Sequence, residues 1–156
     1  HFGTVDIAKG VIDFKDKTIT GTVEIDMSTI HNINLEGDEL HPVLEAHLKS
    51  DDFFFTRMFP KAVFTVKEAI RNVPGWLTTP NYHVYGELNL RGVSACLEFD
   101  ATVALIVDGS LGMEALFYMD RTIWKVIYGS TRFFEHLGMH KVYDLISFQI
   151  RMIASR

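Results

Sequence analysis

Histidine supplies the first candidates for chemistry, because the chain holds seven of them and imidazole can bind metal or carry a proton near neutral pH. They are His1, His31, His41, His47, His83, His136 and His140. The close spacings are His41 with His47 and His136 with His140. Zinc-type sites legible in a sequence set such histidines beside a cysteine pair or in an H-E-x-x-H frame. Neither accompaniment is present, and Gly138 stands between His136 and His140. The expectation is therefore no metal, with His47 a packed or rim side chain. Nucleophilic catalysis has equally little to stand on. Ser130 lies in Tyr-Gly-Ser-Thr without the second glycine of a nucleophile elbow. The single cysteine, Cys96, has no basic partner nearby in sequence, which suits a small buried hydrophobe better than a reactive thiolate. Asp51-Asp52 and Glu36/Asp38 fall in loop-like stretches or at a helix start, where capping accounts for them. No catalytic set emerges. The chain is expected not to be an enzyme and to need no cofactor.

Two arginines pose a sharper question. Asp120-Arg121 reads as an ion pair or backbone-binding pair that fixes a corner, and this structural reading is favoured. Alternatively, Arg121 faces a ligand head group, since guanidinium matches phosphate in bidentate fashion. Arg132, beside Phe133, carries the same two readings. Phenylalanine is the more informative residue. Twelve of them, within a chain that is 47% hydrophobic, imply either a thick core or a cavity with apolar walls.

The bulk properties narrow the class further. At 156 residues the chain is expected to form one domain, residues 1–156, with a sizeable core. A net charge of −5 argues against nucleic acid and against simple electrostatic attachment to anionic membranes. One cysteine excludes an intramolecular disulfide. No apolar run reaches bilayer-spanning length.

Period-2 alternation then supplies the elements that must position these residues. Residues 2–8 and 11–15 read as two strands joined at Lys9-Gly10. A charged turn at Asp16-Lys17 leads into a strand over 19–27, in which Val23, Ile25 and Met27 share a face. Leu40, Val43, Leu44, His47 and Leu48 recur at three and four, which predicts a helix near 38–49 with Asp38 as N-cap and Pro42 in the first turn. Further strands are predicted over 61–71, 82–91, 97–107, 111–119 and 145–153. A long loop is expected at 72–80, a tight connection at Arg91-Gly92-Val93-Ser94 and a hairpin at Asp108-Gly109. Seven or eight consecutive strands without crossover helices favour an antiparallel meander closed on itself, an all-β barrel or sandwich with one helix.

One stretch, 116–138, breaks this rhythm. Phe117 and Met119 share a face of a first strand; Trp124, Val126 and Tyr128 share a face of a second. Their parities are opposite, so an unbroken strand cannot point all five inward. A bulge or turn is predicted between Asp120 and Ile123, with Asp120 bonded there to backbone amides or to Arg121.

The same stretch carries a resemblance. The order D-R-T-x-W-x-V-x-Y-G-S-x-x-F-F-E-x-L-G, from Asp120 to Gly138, resembles the signature of the YceI-like family of polyisoprenoid-binding, lipocalin-like domains. The similarity extends upstream through Ile25-Asp26-Met27, Leu35-Glu36-Gly37-Asp38, the run from Leu44 to Phe54, and Phe59-Pro60. Ala46 and Lys125 stand where the family usually has glycine, and Met139 and Leu145 where it usually has an acid. The resemblance selects the up-and-down barrel over the sandwich. It implies an elongated apolar cavity for one long-chain amphiphile, a polyprenol, an isoprenoid quinone or a fatty-acyl lipid, bound for transport or storage, and it implies a homodimer.

Combining the resemblance with the inward faces of the strands gives an expected lining of Val23, Ile25, Phe64, Val66, Leu88, Leu90, Phe99, Val103, Phe117, Met119, Trp124, Val126 and Phe134. Arg121, Arg132 and His47 are the head-group candidates. A structural or protein-interaction barrel with a self-filled core is the alternative. A periplasmic or secreted location is expected, or a cytoplasmic one, with no signal peptide visible. The family barrel also opens with a strand before the segment matching His1-Phe2-Gly3-Thr4-Val5. An opening strand missing upstream is therefore expected, its slot filled by further residues or by a partner chain.

Overall fold

Alternating apolar residues become seven antiparallel strands: β1 (Gly3–Lys15), β2 (Thr18–Asn32), β3 (Lys61–Arg71), β4 (Tyr82–Leu90), β5 (Val93–Leu105), β6 (Leu111–Asp120) and β7 (Leu145–Ala154). The computed structural model describes residues 1–15, 18–72 and 80–155. The Asp16-Lys17 turn and most of the expected 72–80 loop lie outside them. Each strand pairs with the next in chain order, so the sheet is an up-and-down meander curled nearly into a barrel, as expected for a lipocalin-like fold. Among the described residues no ladder joins β1 to β7.

Several boundaries differ from those expected. Lys9-Gly10 is no turn: Lys9 pairs with Glu24 and Gly10 with Val23 inside one continuous β1. The register shifts between Ile7 and Lys9, leaving Ala8 as the extra residue of a bulge. A bulge reverses side-chain parity, which is how Ile7 and Ile12 both come to border the interior. Strand β5 begins at Val93 rather than 97, because Arg91 and Gly92, at φ 53 and 72, form a two-residue turn with both residues left-handed. The hairpin at Asp108-Gly109 forms as expected, with Asp108 Oδ1 accepting the Ser110 amide at 2.9 Å.

Among the described residues there is one α-helix, α1, which spans His41–Lys49 with Pro42 in its first turn. Asp38 does not cap it. Its Oδ1 accepts the Leu40 amide at 2.8 Å, closing a turn ahead of the helix. Leu40 and Val43 point to solvent, and only Leu44, His47 and Leu48 of the expected stripe are half-buried.

The inward faces meet in one core. Alternate residues 82 to 90 of β4 are buried throughout, against Ala62, Phe64 and Val66 of β3 and Phe99 and Ala101 of β5. Gly86 occupies the middle of that row for a steric reason. A Cβ there would lie 2.4 Å from the Phe64 ring and 2.7 Å from Thr65 O. Phe64 therefore lies across the place where β4 lacks a side chain. The outward face of β5 holds Cys96, which is exposed rather than buried as expected, because its even parity opposes that of Phe99 and Ala101.

The expected second strand over 124–128 does not form. After Asp120 the chain turns into a 3-10 helix, Arg121–Trp124, that ends with Lys125 in the left-handed region at φ 60 and ψ 22. The break falls where opposite parity required it, and Met119, Trp124 and Val126 are all fully buried.

The glycine gap gives a direct prediction. Gly86→Ala pushes Phe64 off its seat and lowers stability by about 1–3 kcal/mol. Urea unfolding monitored by circular dichroism reads this as a lower midpoint; an unchanged midpoint contradicts the packing described.

Candidate functional site

The interior is divided between a floor that is filled and a wall that is not. The floor is built on Arg121, whose side chain is 1% exposed. Its guanidinium donates Nε to Tyr143 O at 2.9 Å, Nη1 to Val126 O at 2.6 Å, and Nη2 to Tyr128 O at 2.8 Å and Val142 O at 3.1 Å. Burial lowers the Arg121 pKa from its ordinary value, and the charges of Asp144 and Asp120 oppose that fall. Asp144 Oδ1 lies 3.6 Å from Nη2. Among the described residues it is the one buried side-chain oxygen without a hydrogen bond, so charge rather than a bond holds it.

Asp120 starts the 3-10 turn. Its Oδ1 accepts the Thr122 amide at 3.0 Å and the Thr122 hydroxyl at 2.6 Å. Its Oδ2 takes Arg132 Nη1 at 2.6 Å, and Arg132 Nε lies 3.2 Å from Asp144 Oδ2. The expected bond to a backbone amide is present, while the charged partner is Arg132 rather than Arg121. Burial works to raise the Asp120 pKa, but the Thr122 bonds and Arg132 outweigh it and hold the carboxyl below its ordinary value. Trp124 completes the floor, its indole Nε1 donating to Leu88 O at 2.8 Å.

Above this floor lies a cavity of about 410 Å³. Its main feature is a row of rings that crosses the sheet. Phe64 lies 5.6 Å from Phe99, Phe99 stacks on Phe117 at 4.4 Å and 10°, and Phe117 stacks on Phe148 at 5.6 Å and 19°. The rings come from β3, β5, β6 and β7. Aliphatic side chains from β1, β2 and β4 face them, among them Ile12, Val23 and Leu88. The lining passes from β1 to β7, which no ladder joins among the described residues, and Asp6, Gln149 and Arg151 border it there. Arg151 Nε is 3.2 Å from Glu114 Oε1. Both are exposed side chains on the outer faces of their strands, so the charge stays at the rim of a hydrocarbon space.

The expected lining divides along the same boundary. Val23, Ile25, Phe64, Val66, Leu88, Phe99, Val103 and Phe117 border the cavity. Leu90, Met119, Trp124 and Val126 do not: they are fully buried and pack the floor that Arg121 holds together. Phe134 does not either. It is 45% exposed and, with His136 and His140, borders a separate pocket of about 290 Å³. The three head-group candidates all lie outside the cavity lining. Arg121 is spent on carbonyls and Arg132 on Asp120 and Asp144. His47 packs edge-on against Phe53 and Tyr128, at 5.0 and 4.7 Å, with Asp52 Oδ2 3.2 Å from its Nε2. Alternation could have supplied Phe148 and Ile150, which share the inner face of the last strand. No sequence signal marked Asp6, Gln149 or Arg151, because their place depends on two strands distant in the chain coming side by side.

A family description for YceI-like domains matches residues 1–154. Comparison with curated protein sequences gives no match. Among solved structures, the YceI protein of Campylobacter jejuni, which crystallizes with large solvent channels, is 23% identical. The alignment covers 97% of this chain and 83% of that one, with a TM-score of 0.68. BcnA of Burkholderia cenocepacia is 17% identical over 94% of this chain and 83% of its own, at a TM-score of 0.70. A polyisoprenoid binding domain from Saccharophagus degradans, implicated in plant cell wall breakdown, is 12% identical over 97% and 96%, at 0.56.

Two outcomes follow from the floor. Arg121→Met strands several buried carbonyls and Asp144, and should cost about 3–5 kcal/mol in chemical denaturation; a loss below about 1 kcal/mol would contradict the role given to it. Asp120→Ala removes the turn's cap and should cost about 1–2 kcal/mol at pH 7. Because the folded-state Asp120 pKa lies below its ordinary 3.8, that stabilisation is complete above the unfolded value and disappears as pH falls through the folded one. Denaturation curves of wild type and variant should therefore converge in acid, and a gap that widens there would count against it.

Proposed function

Because this chain belongs to the family of YceI-like domains, we propose that it binds one long-chain isoprenoid or related lipid within the barrel. The observation that carries this reading is the ring-lined cavity, whose volume lies in the range of pockets that hold a single small ligand. An isoprenoid chain offers repeated methyls and flat double bonds, which suit the Phe99, Phe117 and Phe148 surfaces. Each methylene taken from water contributes about 0.8 kcal/mol, and ordering the chain offsets much of it, so micromolar to nanomolar affinity is expected. The tail lies along the rings, and the ligand enters between β1 and β7. Its polar end stays near Asp6, Gln149 and Arg151, in place of Arg121, Arg132 and His47. The relative described as a polyisoprenoid binding domain supports the ligand class.

Binding rather than catalysis fits the chemistry of the walls. The charged groups bordering the cavity are Asp6 and Arg151, both on the rim. A self-filled core, the alternative, is disfavoured by the cavity itself. The role is that of a carrier or store for a lipid made and used elsewhere.

Extraction of the purified chain with organic solvent, followed by mass spectrometry, should recover an isoprenoid or acyl lipid. Delipidated protein should then bind an added polyprenol or isoprenoid quinone with saturation. Val103→Trp fills the cavity space beside Met113 and should weaken that binding tenfold or more, while unfolding stays cooperative. Recovery of no lipid together with no binding of either probe would refute the proposal.

A further inference from the structure

Three side chains from two elements meet beside the first turn of α1, away from the cavity. His31 comes from the end of β2, His41 opens the helix, and Glu45 stands one turn further on. His31 Nδ1 is 2.8 Å from Glu45 Oε1, and His41 Nε2 is 3.2 Å from the same oxygen. One ligand atom from each of the three lies within 4.8 Å of the others. Bonds of about 2.0 Å to a tetrahedral ion put its ligand atoms roughly 3.3 Å apart, so small side-chain movements would seat an ion among them.

A second observation is independent of that clustering. The other ring nitrogen of His31, Nε2, lies 2.8 Å from Glu36 Oε1, on the segment between β2 and α1. A histidine that binds metal through one nitrogen usually donates its other N–H to a carboxylate, which fixes its tautomer and orientation. We propose that His31 Nδ1, His41 Nε2 and Glu45 bind one divalent ion of the zinc class, with Glu36 as the outer carboxylate and water as the fourth ligand. Two imidazoles and one carboxylate favour zinc and its neighbours over magnesium or calcium, which take oxygen ligands. Both ligating nitrogens must be unprotonated; each neutral ring then carries its proton on the other nitrogen, which for His31 is the one facing Glu36. His41 and Glu45 are mostly buried and His31 is more open, which gives the ion a path from solvent. The ion fastens α1 to the end of β2.

The competing account is a purely hydrogen-bonded cluster, since Asn32 O lies 2.8 Å from His41 Nε2 and the Asn32 amide donates to Glu45 Oε1 at 2.9 Å. Titration separates the two. Chelator-treated protein is titrated with Zn(II) by calorimetry and with Co(II) by visible absorption. One ion per chain, the intense visible bands of four-coordinate cobalt, and a melting temperature that rises with metal concentration are expected. His31→Gln and His41→Gln should each abolish the cobalt bands, Glu36→Gln should weaken affinity about 10–100-fold, and His136→Gln should change nothing. Circular dichroism of the metal-free variants checks that they fold. If either ring variant does not, the Glu36→Gln titration decides, and unchanged affinity there overturns the proposal. So does absence of saturable binding by the wild-type chain, or undiminished binding by the H31Q/H41Q double variant.

Discussion

A single buried guanidinium organises the closed end of this barrel. The segment after β6 must carry Trp124 and Val126 inward and then return to β7, and it does so without a ladder to hold its backbone. Buried carbonyls left without donors are costly. Arg121 supplies donors to four of them, at Val126, Tyr128, Val142 and Tyr143, from both sides of the loop that intervenes between the 3-10 helix and β7. Its planar fork offers five N–H groups in fixed directions. A lysine, with one rotatable ammonium, could not span the same carbonyls.

That arrangement decides the character of the space above. Asp120, Arg132 and Asp144 engage one another and Arg121 at the floor, so the strongest charges near the interior are consumed there. What remains facing inward is hydrocarbon and aromatic. The floor is dense because Met119, Trp124 and Val126 fill it, whereas the wall, where Phe64 covers Gly86, leaves room beside Ala69. The ring row from Phe64 to Phe148 then lies against that room. One end is sealed by hydrogen bonds, and among the described residues no ladder closes the flank between β1 and β7.

The strand pattern was largely legible because half-buried antiparallel strands write their orientation into alternate residues. Parity also located the corner: Met119 and Trp124 cannot share a face along one strand, and the backbone turns between them. Parity could not say that the turn is a 3-10 helix, since Trp124-Val126-Tyr128 alternates as a strand would. Lys125 closes that turn in the left-handed conformation, at φ 60 and ψ 22. Depth was the other illegible quantity. Leu88 and Leu90 have the same parity and chemistry, yet one borders the cavity and the other packs the floor. That difference depends on height along the barrel, which no local pattern records. The division of labour between arginines was equally hidden, because the carbonyls that the Arg121 side chain binds lie up to 22 residues away.

Methyl NMR addresses the boundary between wall and floor directly. With methyl-labelled protein and an unlabelled isoprenoid quinone, intermolecular NOEs should run from the ligand chain to Val23, Val66, Leu88 and Met113. Leu90, Met119 and Val126, sealed beneath Trp124, should give none. NOEs to the floor methyls with none to the wall would contradict the account, placing the ligand where Arg121 was taken to have closed the barrel.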